Sequence, residues 1–267
     1  MVFSACASGG DVKPFPGRAE KMTKSAEEKL REGFTNAALR RYRLALALYQ
    51  KTDDRKNSAD IYNRLGRLSL LRGEPDAAQR YVLSAKLIAE KEGYREALLD
   101  AAITEALIQM AAGNHEKAKT VLAAAEPDTD SARTRVENVL GRISMALGDY
   151  EAARALFESA LDTALAAKDV SAKSSAMANL GVLFMKLNEY DKALAQFQKA
   201  LETDRTLEAA ISIGATLHLI GKVFEAKGDP ENAIYYYDLA LKVNAQVDIP
   251  ERPAADRKAI ARVKKLL

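Results

Sequence analysis

The 267-residue sequence holds one cysteine, Cys6, and no tryptophan. A single thiol excludes an internal disulfide and every metal site built from clustered cysteines. Fourteen glycines and seven prolines are too few for an all-β chain, which needs turn residues about every 8–12 positions. Charge of one sign is missing as well. Forty basic residues face 37 acidic ones for a net +3, and they are interspersed along the chain. A duplex-binding surface gathers Lys and Arg into a patch, so no nucleic-acid partner is expected. No run approaches the roughly 18 apolar residues of a membrane-spanning helix. The two histidines, His115 and His218, have no cysteine or second histidine at metal-ligand spacing. Gly214 to Lys222 has the outline of a phosphate loop, but six residues separate its glycines instead of four, and Val223 follows where Ser or Thr is required. Neither a cofactor, a metal nor an enzyme activity is expected.

What the chain does contain is alanine, leucine and a repeat. A small residue recurs as Ala26, Gly66, Ala106, Gly141, Gly181 and Gly221, and a turn residue as Gly33, Gly73, Gly113, Gly148, Asn188 and Gly228. Alanine fills two further columns, Ala38, Ala78, Ala118, Ala153, Ala193, Ala233 and Ala45, Ala85, Ala125, Ala160, Ala200, Ala240. Between them runs a bulky column, Tyr42, Val82, Leu122, Phe157, Phe197 and Tyr237. The step is 40 residues everywhere except between units three and four, where it is 35. A glycine inside a helix costs about 1 kcal/mol relative to alanine, so the small column predicts close backbone approach of a paired helix. The alanines fit the same demand, and the bulky column is expected to fill the gap between one hairpin and the next. Glycine at the turn permits the left-handed conformation that ends a helix. Pro127 falls at the short step and predicts a truncated second helix in unit three, with the core continuing across it.

The Leu65-Gly66, Leu140-Gly141, Leu180-Gly181 and Ile220-Gly221 pairs, the turn Gly148-Asp149-Tyr150 and the double alanine columns resemble the tetratricopeptide repeat family. The resemblance covers residues 19 to about 246. Its period is longer than the family's usual 34, as in the subgroup of kinesin light chains and polarity scaffolds, and the family's aromatic at the start of the first helix survives only as Tyr62. The resemblance implies an all-α, right-handed superhelical solenoid of six helix-turn-helix hairpins plus a C-terminal capping helix. The expected layout is a flexible tail over 1–18, units at approximately 19–55, 56–93, 94–128, 129–169, 170–207 and 208–247, and a cap over 251–267. In that cap Ile260, Val263 and Leu267 share one helical face, with Lys258, Arg262, Lys264 and Lys265 on the others.

In the family the first helix of each unit lines the concave surface, where a peptide or partner helix lies. Carried through the Leu-Gly register, the groove positions that could engage a partner are Asn63, Arg64, Arg67, Asn138, Arg142, Asn179, His218 and Lys222. Asn179 matches the position where relatives hold a peptide backbone, a task that suits an amide because it both donates and accepts. The clamp that relatives use for a terminal carboxylate is incomplete, since Ala215 and Leu219 stand where its third unit needs basic residues. Arg67, Arg142 and Lys222 form a basic inner stripe that favours an acidic ligand.

Small residues before Cys6, then Ser8-Gly9-Gly10 and a polar stretch, resemble the processing site of bacterial lipoproteins, although no charged region and apolar run precede it here. The leading expectation is a protein-binding scaffold, lipidated at Cys6 on the periplasmic face of a bacterial membrane if a signal peptide lies upstream. A cytoplasmic scaffold or peptide sensor is the alternative. A helical-repeat nucleic-acid binder, motivated only by a pI near 8.8, is the third.

Overall fold

The computed structural model describes residues 15–267, so Cys6 and its tether lie outside the described residues. Among the described residues there are thirteen α-helices and a final 3-10 turn, Lys264–Leu266, with no strand. Six antiparallel hairpins follow one another: α1 (Phe15–Arg31) with α2 (Thr35–Lys51), α3 (Arg55–Leu71) with α4 (Pro75–Glu92), α5 (Arg95–Ala111) with α6 (His115–Ala123), α7 (Asp130–Ala146) with α8 (Tyr150–Ala166), α9 (Val170–Lys186) with α10 (Tyr190–Thr206), and α11 (Ala210–Ala226) with α12 (Pro230–Asn244). A closing helix, α13 (Glu251–Val263), packs on α12. The first helix starts at Phe15, ahead of the expected residue 19, because Pro16 sits in a first turn, where proline is tolerated. Ala19 is already buried.

Helix length explains the period. Helices α7 to α10 each run 17 residues, and three-residue turns separate them, which reproduces the 40-residue step. Each turn needs one residue in the left-handed region. Gly148 takes it at φ 86°, and Asn188, the one non-glycine of that column, takes it at φ 61°. Asparagine visits this region at lower cost than most side chains. Helix starts are set by short acids and hydroxyls. Asp54, Asp149, Asp169 and Asp229 each accept a hydrogen bond from the third backbone N–H of the helix that follows.

The short step between units three and four has the predicted cause. Helix α6 is only nine residues long and ends at Ala123, ahead of Pro127. Thr129 then restarts the chain, its hydroxyl accepting from the Ala132 N–H at 3.1 Å. The core does not break there, because Leu99, Leu122, Val136 and Ile143 belong to one buried cluster. Thr129→Ala is expected to lower stability by about 1 kcal/mol, the usual loss for an N-cap. Urea unfolding checks it, and an unchanged midpoint would show that the cap is dispensable.

The repeat columns are the core. Apart from Ala125, which follows the end of α6, both alanine columns are fully buried. At Gly141, Gly181 and Gly221 the small column plays a different part from the one predicted. A Cβ on Gly141 would lie 2.5 Å from the ring of Phe157, one on Gly181 2.6 Å from Phe197, and one on Gly221 2.7 Å from Tyr237. The glycine therefore makes room for an aromatic ring of its own hairpin, not for bare backbone. The ring also reaches the next hairpin, where Phe197 packs with Leu217 and Ile220. One side chain thus locks three helices. At the C-terminal end Val263 and Ala259 are buried against Ala233 and Tyr237. Leu267 differs from its expected place on that face. It is exposed, because the chain leaves the α-helix at Lys264 and the face is lost.

Candidate partner-binding chamber

The first helices of the hairpins turn one face inward. In units two to six that face lines an open chamber of about 770 Å³. Arg67 comes from α3, Ile103 from α5, Asn138 and Arg142 from α7, Asn179 from α9, Leu219 from α11 and Arg252 from α13. The spacing along α7 follows from helical geometry, since residues three and four apart share a face. Arg135, Asn138 and Arg142 therefore all line the chamber.

The arginines differ in how far they are neutralised. Arg67 donates to Asp100 Oδ2 at 3.3 Å, and Arg135 forms an ion pair with the other oxygen of the same buried carboxylate. Arg142 is exposed and makes no hydrogen bond or ion pair among the described residues. The protein around its stem shields the guanidinium in part and lowers its pKa, with nothing acidic to offset the effect. Arg252 has its pKa lowered by burial too, partly offset by Asp256, and it donates to the Ile211 carbonyl at 2.7 Å. Asp204 lines the same chamber. Burial raises its pKa against hydrogen bonds from Ser174, at 2.5 Å, and Thr216.

Asn179 donates to Asn138 Oδ1 at 2.8 Å, and Asn138 donates to the Thr134 carbonyl at 3.1 Å. The two amides thus form a tethered pair on the chamber wall. The other groove positions are placed otherwise. Asn63 is fully buried and donates to the Ala97 carbonyl at 2.9 Å, joining α3 to α5. Arg64 is gripped by Asp60 at 2.7 Å and by Glu27. Burial works against its charge, but these acids hold its pKa above the usual guanidinium value. His218 meets Asp256 at 2.6 Å and its ring lies 5.1 Å from that of Tyr237, so it serves the docking of α13. Lys222 is exposed and is not among the residues lining the chamber.

Among the chamber residues not singled out from the sequence are Arg135, Asp204 and Arg252. Arg135 could have been found one helical turn before Asn138. Asp204 sits on a second helix, outside the groove register, and Arg252 lies beyond the repeat, so neither carried a signal. Among the described residues no helix is long and apolar enough to cross a membrane, and no group of three or more His, Cys, Asp or Glu side chains could hold a metal ion.

Comparisons with known proteins agree with this geometry. Family models described as tetratricopeptide repeat match residues 130–206 and 215–247. No curated protein sequence matches the chain. Among solved structures, a Rap protein complexed with competence and sporulation factor superposes with a TM-score of 0.66 at 15% identity, covering 92% of this chain and 75% of that one. A signal transduction ATPase with a tetratricopeptide repeat sensor from Pyrococcus horikoshii gives a TM-score of 0.56 at 17% identity, covering 94% of this chain. The chain spans only 39% of that ATPase's length. PilF of Pseudomonas aeruginosa gives 0.50 at 20% identity, over 79% of this chain and 90% of that one. At these identities the likeness is one of fold alone. With the repeat columns, the hairpin geometry and the family models in agreement, the chain is a tetratricopeptide repeat protein.

Proposed function

We propose that the chamber holds a segment of a protein partner and that the chain is a non-catalytic interaction scaffold. The observation that carries this reading is Arg142, an exposed guanidinium without a partner among the described residues, lining a chamber that also presents an amide pair. A guanidinium with no internal acid to neutralise it is free to take an acidic group in a charge-assisted hydrogen bond. An acidic peptide segment is the ligand class that fits. Asn138 and Asn179 stand beside it for the segment's backbone, and Arg67 offers a second, partly neutralised charge. Asn63, Arg64 and His218 support the wall through their own internal bonds.

Affinity capture with the purified array, followed by titration of the recovered partner, tests the proposal. Arg142→Gln is expected to weaken binding roughly tenfold to a hundredfold, corresponding to a lost charged hydrogen bond of about 1.5–3 kcal/mol. Lys222→Gln, outside the chamber, is expected to leave affinity unchanged. Equal affinity of the wild type and an Arg142→Gln, Asn179→Ala double variant would place the partner elsewhere.

A further inference from the structure

Helix α2 begins without a cap of its own, because Phe34 occupies its N-cap position and has no side chain that can accept. The missing cap arrives from the other end of the chain. Asp248, in the linker between α12 and α13, accepts from the Asn36 N–H at 2.8 Å and from the Thr35 hydroxyl at 2.6 Å, and also from the Thr35 N–H. Its own N–H donates to the Gly33 carbonyl at 3.3 Å. Val247 beside it is buried on Gly33, where an added Cβ would fall 2.8 Å from a valine methyl. Arg72, just past the end of α3, completes the joint, donating to Thr35 Oγ1 and Asn36 Oδ1 while Glu74 holds it in place. Burial opposes the charge on Asp248, yet the bonds from Thr35 and Asn36 keep its pKa below the usual carboxylate range.

These contacts join residues more than 200 positions apart, so the superhelix meets itself after one circuit. The walls respond accordingly. A cavity of about 440 Å³ is lined by Leu30 and Arg31 of α1, Arg67 of α3, and Ile211 and Ser212 of α11, with the first unit facing the last. The same linker leads, four residues later, to Arg252 in the chamber wall.

We propose that the Asp248 joint is a breakable closure that locks the solenoid into a ring, and that its release widens the partner chamber. This rests on the chamber reading only for its purpose, since the closure itself is measurable without a ligand. A joint made by one linker, through Asp248 and Val247, between the ends of a one-dimensional array whose units hold only their neighbours, can open without unfolding any hairpin. Opening moves Arg252 and the inner face of α11 away from α1 and α3.

Spin labels on cysteines at the exposed positions Arg31 and Ser212, in a Cys6→Ser background, read the width of the ring by pulsed dipolar spectroscopy. A second pair at Arg80 and Lys119, remote from the joint, is the control. The intact joint is expected to give one narrow distance for the first pair. Asp248→Ala should raise the open population about tenfold, the change equivalent to a lost cap of about 1.4 kcal/mol, and add longer distances to the first pair alone. Asp248→Asn keeps the size of the side chain, guards against a misfolded variant and should show the same shift in smaller measure. A first-pair distance unaltered in both variants overturns the closure, as does equal broadening of the control pair. Loss of partner capture in Arg142→Gln bears only on the chamber, so the two ideas fail separately.

Discussion

Gly181→Val is expected to destabilise the array by about 3 kcal/mol, the upper range for overpacking a filled core. The Cβ alone would sit 2.6 to 2.9 Å from three carbons of the Phe197 ring, and that ring is fully buried. Phe197 has little room to retreat, because it belongs to one buried cluster with Leu217 and Ile220 of the next hairpin. Valine improves on the helix propensity of glycine by only a few tenths of a kcal/mol, far less than the clash costs. The sharper check is a double variant with Phe197→Leu, which removes the obstructed ring. The two changes should couple by about 1 kcal/mol or more, the double variant being more stable than the summed losses require. Urea unfolding followed by far-ultraviolet circular dichroism and tyrosine fluorescence measures it, two probes being needed since repeat arrays can unfold in parts. Strict additivity would show that glycine and ring are not a lock.

Asp256→Ala is expected to cost about 3 kcal/mol and to release α13. Asp256 is fully buried, takes a hydrogen bond from the Asn244 amide at 2.7 Å and meets His218 Nδ1 at 2.6 Å. Removing it strands two polar groups inside the interface of α11, α12 and α13, each at about 1–3 kcal/mol. The loss should be local at first. Amide exchange in α13 and the end of α12 should accelerate well before that of α7 to α10, as expected when the terminal unit of an array frays. Leu267→Ser, on the exposed end of the same segment, should change nothing. Unaltered protection of α13 in Asp256→Ala would refute the role given to the carboxylate.

The fold was open to reading because its causes are periodic. Six hairpins repeat the same small, bulky and turn positions, and each column reports a contact between helices adjacent in sequence. The truncation at Pro127 was legible for the same reason, as proline acts on its own helix. What fills the glycine gap was misjudged, because a small residue announces space without naming its occupant. Leu267 was misplaced because periodicity alone does not show where the last helix stops.

The chamber was legible in outline and not in detail. The Leu-Gly register brought Arg67, Asn138, Arg142 and Asn179 to the inner wall, but it also gathered Asn63 and His218, which are bonded within the frame. Two polar side chains in equivalent repeat positions look the same in sequence. They differ in whether a neighbouring helix offers a carbonyl or a carboxylate within reach.

The sequence by itself determined the helices, their pairing and the direction of the inner face, since these depend on residues a few turns apart. Only the tertiary structure decided which cations stay unpaired and where the array closes. Those outcomes depend on how small rotations between units accumulate around the superhelix, bringing Asp248 to the start of α2 and Arg252 into the wall beside Arg142. No local pattern encodes a meeting of residues 212 positions apart.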